Sequence, residues 1–440
     1  TIKLAVVAAL ALGATSAFAT NGSVMLGVGA KARGMGGVGV ATGFGAESAH
    51  SNPALITSIK SNNEISFGGT LFMPDLDVTN SMMGSDGAGG MAQGPVTTAS
   101  SDADTFVIPS VSLASKINDN WYWGLGMWGT GGLGVDYRDT ALSTMGGSQM
   151  QMVTALQLMQ FGVPIAYTSN NFTIGFTPII QYGSLDINYA NPMTGDGNVG
   201  AGVSDDISFG ANFGLTYEVS GLTIGAVYKS EIEMEFEDVL SNAISPMLQP
   251  NAMAVAMGMP VTTGSYNNSK LSSPAEYGIG LSYSKKAHTI AVDWRHIDWE
   301  SAETYKDFGW EDQDVIAIGY QYTTEKWALR CGYQYAESAV QDNTGKGLAL
   351  DNAFAAAGNV NPANGAAMNL TNTFNLLGFP GTQESHITMG GTYVFNETFS
   401  MDLAAVYALE NTESATNFTG VPISTDHSEE SYSIQINYSF

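Results

Sequence analysis

The chain ends in Ser431-Tyr-Ser-Ile-Gln-Ile-Asn-Tyr-Ser-Phe440, and no other stretch restricts its fold so tightly. Tyr432, Ile434, Ile436, Tyr438 and Phe440 fall on one side of an extended strand. Ser433, Gln435, Asn437 and Ser439 fall on the other, because successive strand side chains point to opposite faces. An apolar row needs an apolar solvent and a polar row a wet one. The closing strand of a bacterial outer-membrane β-barrel meets both conditions, with lipid outside and a lumen inside.

The same alternation recurs along the chain. It predicts fourteen strands, near 63–73, 107–118, 121–130, 157–169, 172–189, 207–219, 222–237, 273–285, 287–300, 314–324, 327–337, 386–396, 398–410 and 431–440. Bacterial barrels have an even strand number. Short turns follow every second strand: Asn118-Asp-Asn120, Ser169-Asn-Asn171, Ser220-Gly221, Lys285-Lys286, Glu325-Lys326 and Asn396-Glu397. Longer segments follow the others: 74–106, 131–156, 190–206, 238–272, 301–313, 338–385 and 411–430. Short periplasmic turns opposite long extracellular loops mark an outer-membrane barrel, and a soluble β-sandwich needs no such asymmetry. Trp121, Trp123, Tyr167, Tyr182, Tyr407 and Tyr438 suit interfacial girdles.

The first nineteen residues agree. Lys3 supplies a positive start, Leu4 to Leu12 an apolar core, and Ala17-Phe18-Ala19 a small-residue cleavage site. This predicts a signal peptide over 1–19 and a mature start at Thr20. The net charge of −26 argues against a nucleic-acid surface, since phosphates need Lys and Arg. Cys331 stands alone, so no disulfide or cysteine metal cluster is expected. His50, His288, His296, His386 and His427 lack metal-ligand spacing, and neither a Gly-x-Ser-x-Gly elbow nor a P-loop occurs. The expectation is a non-enzyme with neither cofactor nor metal.

Residues 20–62 differ from the rest. Leu26 to Ala41 is Gly-rich but punctuated by apolar residues, which suits a compact plug inside a lumen too wide for side chains to fill. Here Gly34-Met-Gly-Gly-Val-Gly-Val-Ala41, followed by Ser51-Asn-Pro-Ala-Leu-Ile56, resembles the FadL/TodX-type family of outer-membrane transporters for long-chain fatty acids and aromatic hydrocarbons. The resemblance implies an all-β transmembrane antiparallel barrel over 63–440, with an N-terminal hatch over 20–62 closed by Asn52, Pro53 and Ala54. It also implies a monomer that captures a hydrophobic small molecule among its loops, holds it in a lumenal pocket and releases it sideways through a kink in the third strand. Uptake would be passive. Outer-membrane lipids, lipopolysaccharide and the barrel-assembly machinery are the partners of such a protein. A general hydrophilic porin and a non-transporting surface adhesin or structural barrel are the rival readings.

Gly124, Gly126, Gly129 and Gly131 crowd the third strand, where glycine marks bends or bulges. They either open the wall or relieve crowding beneath the plug. Alternation on the seventh strand turns Lys229, Glu231, Glu233 and Glu235 inward; on the ninth it turns Asp293 and Arg295 inward, and on the eleventh Arg330 and Gln334. Either Arg295 pairs with Asp293 or the seventh-strand glutamates, or Lys229, Arg295 or Arg330 receives a carboxylate headgroup. Met152, Val153, Leu156 and Met159 follow helical spacing, as do Leu240, Ile244, Met247 and Leu248 ahead of the Met-rich stretch from Met253 to Met259. Met152, Leu156, Leu240, Ile244, Met247 and Leu248 are the capture candidates, since loop helices leave a groove whether or not they pack on each other.

Overall fold

The computed structural model describes residues 20–85, 91–140, 149–191, 198–360 and 368–440; the expected leader lies outside them. Fourteen antiparallel strands form a closed barrel. In chain order they begin with β1 (Asn63–Asn80), β2 (Phe106–Lys116) and β3 (Trp121–Asp136). Next come β4, in two segments (Val153–Gly162 and Ile165–Ser169), β5 (Phe172–Asn188) and β6 (Ser204–Val219). Then follow β7 (Leu222–Lys229), β8 (Ala275–Lys285), β9 (His288–Asp298), β10 (Gln313–Thr323) and β11 (Trp327–Tyr335). The last three are β12 (Ser385–Val394), β13 (Phe399–Thr416) and β14 (Pro422–Ser439). β14 closes the ring on β1, from Glu64 opposite Ser439 to Thr79 opposite Ser424.

The two-solvent pattern is realised on β14, where Tyr432 is 51% exposed while Gln435 is 2% exposed. In a bilayer that outer face meets acyl chains, which favours each Ile or Leu by about 2 kcal/mol over water. The short turns follow from backbone chemistry as well. Ser220 and Gly221 both take positive φ (50° and 83°), the geometry whose twist matches a two-residue hairpin.

Several strands run beyond their predicted ends. Residues 411–430, expected as a loop, continue the β13–β14 ladder up to Thr416 opposite Pro422. Above the bilayer the outer face of that hairpin is polar, and its buried inner face carries Thr425 and His427 bonded to the overlying loops, so no hydropathy alternation betrays it. Two strands break inside the wall. β4 stops at Gly162 and resumes at Ile165, around Val163 and Pro164, whose missing N–H cannot serve a ladder. β7 ends at Lys229 and its extension restarts at Ile232, pairing Ile232–Glu235 with Lys270–Ser273. That interruption resets the phase. Ile232, Met234 and Phe236 face inward, and Glu231, Glu233 and Glu235, expected inside, point out.

The lumen is filled by residues 20–62, which carry α1 (Ala30–Arg33), α2 (Ser48–Ser51) and the 3-10 turn Pro53–Ser58. Their backbone lies directly against the wall. A Cβ on Gly332 of β11 would sit 2.3 Å from the Gly36 nitrogen, and one on Gly319 of β10 would sit 2.5 Å from the Met35 carbonyl. Over the other end fold α3 (Val239–Ile244) with the 3-10 turn Ser245–Leu248, α4 (Ala252–Ala256), α5 (Ala349–Ala356) and α6 (Leu370–Thr373).

Candidate functional site

The hatch is fixed by hydrogen bonds its sequence makes available. Asn52 is fully buried; its Nδ2 donates to the Val40 carbonyl (2.7 Å) and its Oδ1 accepts from the Ala54 N–H (3.0 Å). Pro53 has a fixed φ that starts the 3-10 turn without a wasted donor. This Asn52–Ala54 turn presses on bare strand backbone: a Cβ on Gly175 would sit 2.3 Å from the Ala54 nitrogen, and one on Gly214 would sit 1.9 Å from Asn52 Oδ1. Nearby, Asp293 Oδ2 accepts from the Gly39 and Val40 N–H groups at 2.7 and 2.8 Å.

The three lumenal cations are all committed. Lys229 and Arg295 converge on Glu276 of β8, at 3.2 and 3.5 Å. Arg330 meets Asp402 of β13 at 3.5 Å and donates to Gln321 and Thr392. Lys31 of the hatch ties Asp402 (3.5 Å) to Glu47 (2.7 Å). Arg295 therefore pairs with neither Asp293 nor the seventh-strand glutamates but with Glu276 of the adjacent β8, and Arg330 reaches across β12 to Asp402, contacts that alternation within one strand cannot reveal.

The third strand carries a defect in the wall. β2 pairs with β3 only from Ser110 opposite Trp128 to Lys116 opposite Tyr122. Above that, β3 bulges between Gly129 and Gly131 and keeps β4 as its ladder partner, while Phe106 to Pro109 pair with β1. The strands rejoin where the Asp102 N–H meets the Asp136 carbonyl (2.9 Å). Inside this gap lies the start of the hatch. Met25 N–H donates to the Thr130 carbonyl (3.2 Å), Gly132 N–H donates to the Ser23 carbonyl (3.0 Å), and Val24 bridges Gly131. The Met25 side chain packs with Phe72, Phe106 and Ile108. Ser23 to Met25 thus act as a short strand in the place β2 vacates.

Just below, Trp128 is fully buried, donates from Nε1 to Ser112 (2.9 Å) and stands 5.5 Å from the His50 ring. Gly126 leaves room for it, since a Cβ there would lie 1.7 Å from the indole. On the lipid side an apolar groove of about 490 Å³ runs past Val111, Leu113, Leu125, Met127 and Phe161.

A lumenal pocket is lined by Leu185, Leu240, Leu271, Thr304, Tyr305, Phe308, Trp310, Asn375 and Phe379. Its open space, about 20 Å³, is that of one water, so a cargo must move the walls. Tyr305 and Trp310, with Trp299, form a cluster whose rings are 4.6 to 5.0 Å apart. Gly22 and Ser23 lie on this cluster: a Cβ on Gly22 would meet the Trp299 ring at 2.6 Å, and the Tyr305 hydroxyl bonds Ser23 Oγ (3.3 Å). Pocket and gap are therefore bridged by the same four residues, 22–25.

Of the capture candidates, Leu240, Ile244, Met247 and Leu248 lie on α3 and its 3-10 extension and are buried; Leu240 lines the pocket. Met152 and Leu156 are not helical. Leu156 belongs to β4, where Thr154, Leu156 and Leu158 face the lumen, and Met152 precedes that strand. Met253, Val255 and Met257, at and beside α4, are exposed instead. The loop cations are paired too: Lys270 with Glu233 (2.7 Å), Lys306 with Glu303 (2.5 Å), Lys346 with Glu311 (2.5 Å), and Arg138 with Asp136. The Lys306 hydrogen bond holds the Glu303 carboxyl below its ordinary value.

A plugged fourteen-strand barrel with a gap at the third strand is a restrictive architecture, and the comparison with known sequences agrees with it. The profile of the family described as "Outer membrane protein transport protein (OMPP1/FadL/TodX)" matches residues 4–347. The chain belongs to this family. A long-chain fatty acid transport protein of Escherichia coli O6:H1 (strain CFT073) is 26% identical over 400 residues, 81% of this chain and 79% of its own length. The crystal structure of a Pseudomonas aeruginosa FadL homologue matches with TM-score 0.66 at 13% identity, over 95% of this chain and all of its own. Toluene transporters of P. putida (TodX) and Ralstonia pickettii (TbuX) give 0.60 and 0.61 at 18% and 17% identity, each over 94% of this chain and 99% of theirs. At such identities the structural likeness is one of fold.

This FadL/TodX-type chain is thus an outer-membrane transport protein and not an enzyme. Strand alternation did not disclose the Trp299–Tyr305–Trp310 cluster, or Met25 and Trp128 beside the gap. The available signal was Tyr305 and Trp310 inside the polar segment 301–313, with Trp299 at the end of the strand before it, a costly placement in water that burial explains.

Proposed function

We propose that the protein takes up hydrophobic compounds passively: the loops capture them, the aromatic pocket holds them, and the β2–β3 gap releases them into the membrane. The observation that carries this reading is the shared segment 22–25, which touches the pocket at Tyr305 and fills the gap at Gly131 and Gly132. A cargo that spreads the pocket displaces this segment, and displacing it unblocks the wall. The 1–19 leader directs export, the barrel-assembly machinery inserts the chain, and a monomer surrounded by lipopolysaccharide and lipid suffices, because pocket and gap lie within one chain.

The test is delivery of an apolar fluorescent probe into the lipid of vesicles that hold the barrel, alongside passage of a small sugar. The proposal expects fast probe delivery without sugar passage. Sugar passage without faster probe delivery would establish the hydrophilic porin instead, and neither would leave a structural barrel.

The hatch turn gives a second test. Asn52→Ala strands the Val40 carbonyl and the Ala54 N–H, a local cost of about 1–3 kcal/mol. Pro53→Ala frees the φ that starts the turn. Because the wall ladder does not involve either residue, the double variant should keep the barrel fold while uptake falls severalfold as the hatch loses its seat on Gly175 and Gly214. Wild-type uptake at wild-type surface abundance would remove the turn from the mechanism.

A further inference from the structure

We infer that the periplasmic rim of β8–β11 binds the phosphate headgroup of an anionic phospholipid in the periplasmic leaflet. The inference is independent of the transport reading and concerns another face of the barrel.

The rim carries cations that the protein leaves uncommitted. Turns 284–287 and 323–326 hold Lys285, Lys286 and Lys326, all exposed, against one acid, Glu325. Among the described residues, none of the three ammonium groups has an ion-pair or hydrogen-bond partner. The two turns are neighbours, since the Thr323 N–H donates to the Ala287 carbonyl at 2.8 Å. The cations of the extracellular segments, Arg138, Lys270, Lys306 and Lys346, are all paired. The adjoining periplasmic turns at Ser220-Gly221 and Asn396-Glu397 carry no cation. In a chain of net charge −26, this sector is a local excess of positive charge, and it draws anions.

The register of the strands makes that anion a lipid. Lys285 of β8, His288 of β9 and Tyr322 of β10 are cross-strand partners in succession, so their side chains share the outer face. The row continues in rings, with His288 and Tyr322 5.1 Å apart and Tyr322 and Trp327 5.6 Å apart. A hydrogen bond between His288 Nδ1 and the Tyr320 hydroxyl (2.7 Å) holds the imidazole in the row and leaves Nε2 for a headgroup oxygen. Two residues further into the wall, a step of about 7 Å, Tyr283, Ile290 and Tyr320 are exposed on the same face and meet acyl chains. The rings thus stand at the interface and the lysines at headgroup depth. A soluble anion would use the lysines alone. A lipid uses both, with its phosphate on the lysines and its chains along the apolar wall.

The experiment places the full chain in phosphatidylcholine nanodiscs and follows tryptophan emission as part of the lipid is replaced by phosphatidylglycerol, or by phosphatidylcholine, with brominated chains. Bromine quenches a nearby indole, and Trp327 lies in the row. Phosphatidylglycerol should be preferred about tenfold at low salt, the order expected of three nearby lysines offset by one acid. The preference should shrink toward unity at about 1 M salt. It should vanish in Trp327→Phe, which removes the reporter, and in the triple variant Lys285→Gln, Lys286→Gln, Lys326→Gln. Those side chains are exposed and take no part in the ladder, so the triple variant should stay folded and heat-modifiable. Equal quenching by the two lipids in the wild-type protein overturns the inference. So does a preference that survives either variant. Complete loss of the preference on adding millimolar glycerol 3-phosphate or hexaglutamate would assign the lysines to a soluble anion, which overturns it as well.

Discussion

Deleting residues 20–62 while retaining residues 1–19 should leave an assembled barrel whose ion conductance is higher by roughly an order of magnitude, since a lumen of this strand number stays open unless filled. The wall does not need the hatch. All fourteen strands and their ladders lie within 63–440, and the closing β14–β1 pairing is intact without it. The inner face exposed by the deletion is polar: Asp293, Glu276, Asp402 and Arg330 would exchange hatch or wall partners for water, which charged groups accept readily. Planar-bilayer recordings check this. A folded, heat-modifiable deletion variant with wild-type conductance would show that the lumen is blocked by something other than the hatch.

Solvation on the two faces of each strand also sets how much of the fold is legible in the sequence. Alternation was legible wherever the two faces of a strand meet different solvents, as on Tyr432 to Phe440, and all fourteen strands were found on that signal. It disappears where both faces carry polar residues, so Asn411 to Thr416 and their partners, among them the buried Thr425 and His427, read as loop. It misleads where a strand is interrupted, because a break such as that between Lys229 and Ile232 inverts the phase and sends Glu231, Glu233 and Glu235 outward. Met152, Leu156 and Met159 satisfied helical spacing, yet Thr154, Leu156 and Leu158 line one face with period two; a short apolar run fits both periods. The hatch turn at Asn52 was visible as a motif, but its bonds to Val40 and its seat on Gly175 and Gly214 depend on where distant strands pass. The path itself was least legible. Its central contact joins Ser23, near the chain start, to Tyr305 and to Gly132, and sequence spacing carries no trace of such a meeting.

Two glycines at the gap should give opposite results when replaced by valine. Gly131 faces the hatch strand: a Cβ there would sit 2.4 Å from the Ser23 carbonyl oxygen, a backbone atom that cannot yield without moving segment 23–25. Gly131→Val should therefore expel the segment and hold the gap open. Gly129 faces the other edge, where a Cβ would meet Ile108 Cγ2 at 2.5 Å, the end of a side chain that can turn. Gly129→Val should add bulk between β2 and β3 and leave the hatch in place, so the gap narrows. The direction of flux follows from solvation, because each CH₂ leaving water for hydrocarbon gains about 0.8 kcal/mol, whereas release into the periplasm forgoes that gain. With the gap open, delivery of an apolar probe to vesicle lipid should become faster and no longer saturate with occupancy of the pocket. With the gap narrowed, delivery should drop about tenfold or more, as for a barrier raised by 1.4 kcal/mol or beyond, while tryptophan emission still reports pocket binding. Both rates staying at the wild-type value, in variants whose structures show the segment expelled and the gap filled, would mean that cargo leaves by another route. Slower delivery from Gly131→Val alone would assign segment 23–25 a guiding role in place of a blocking one.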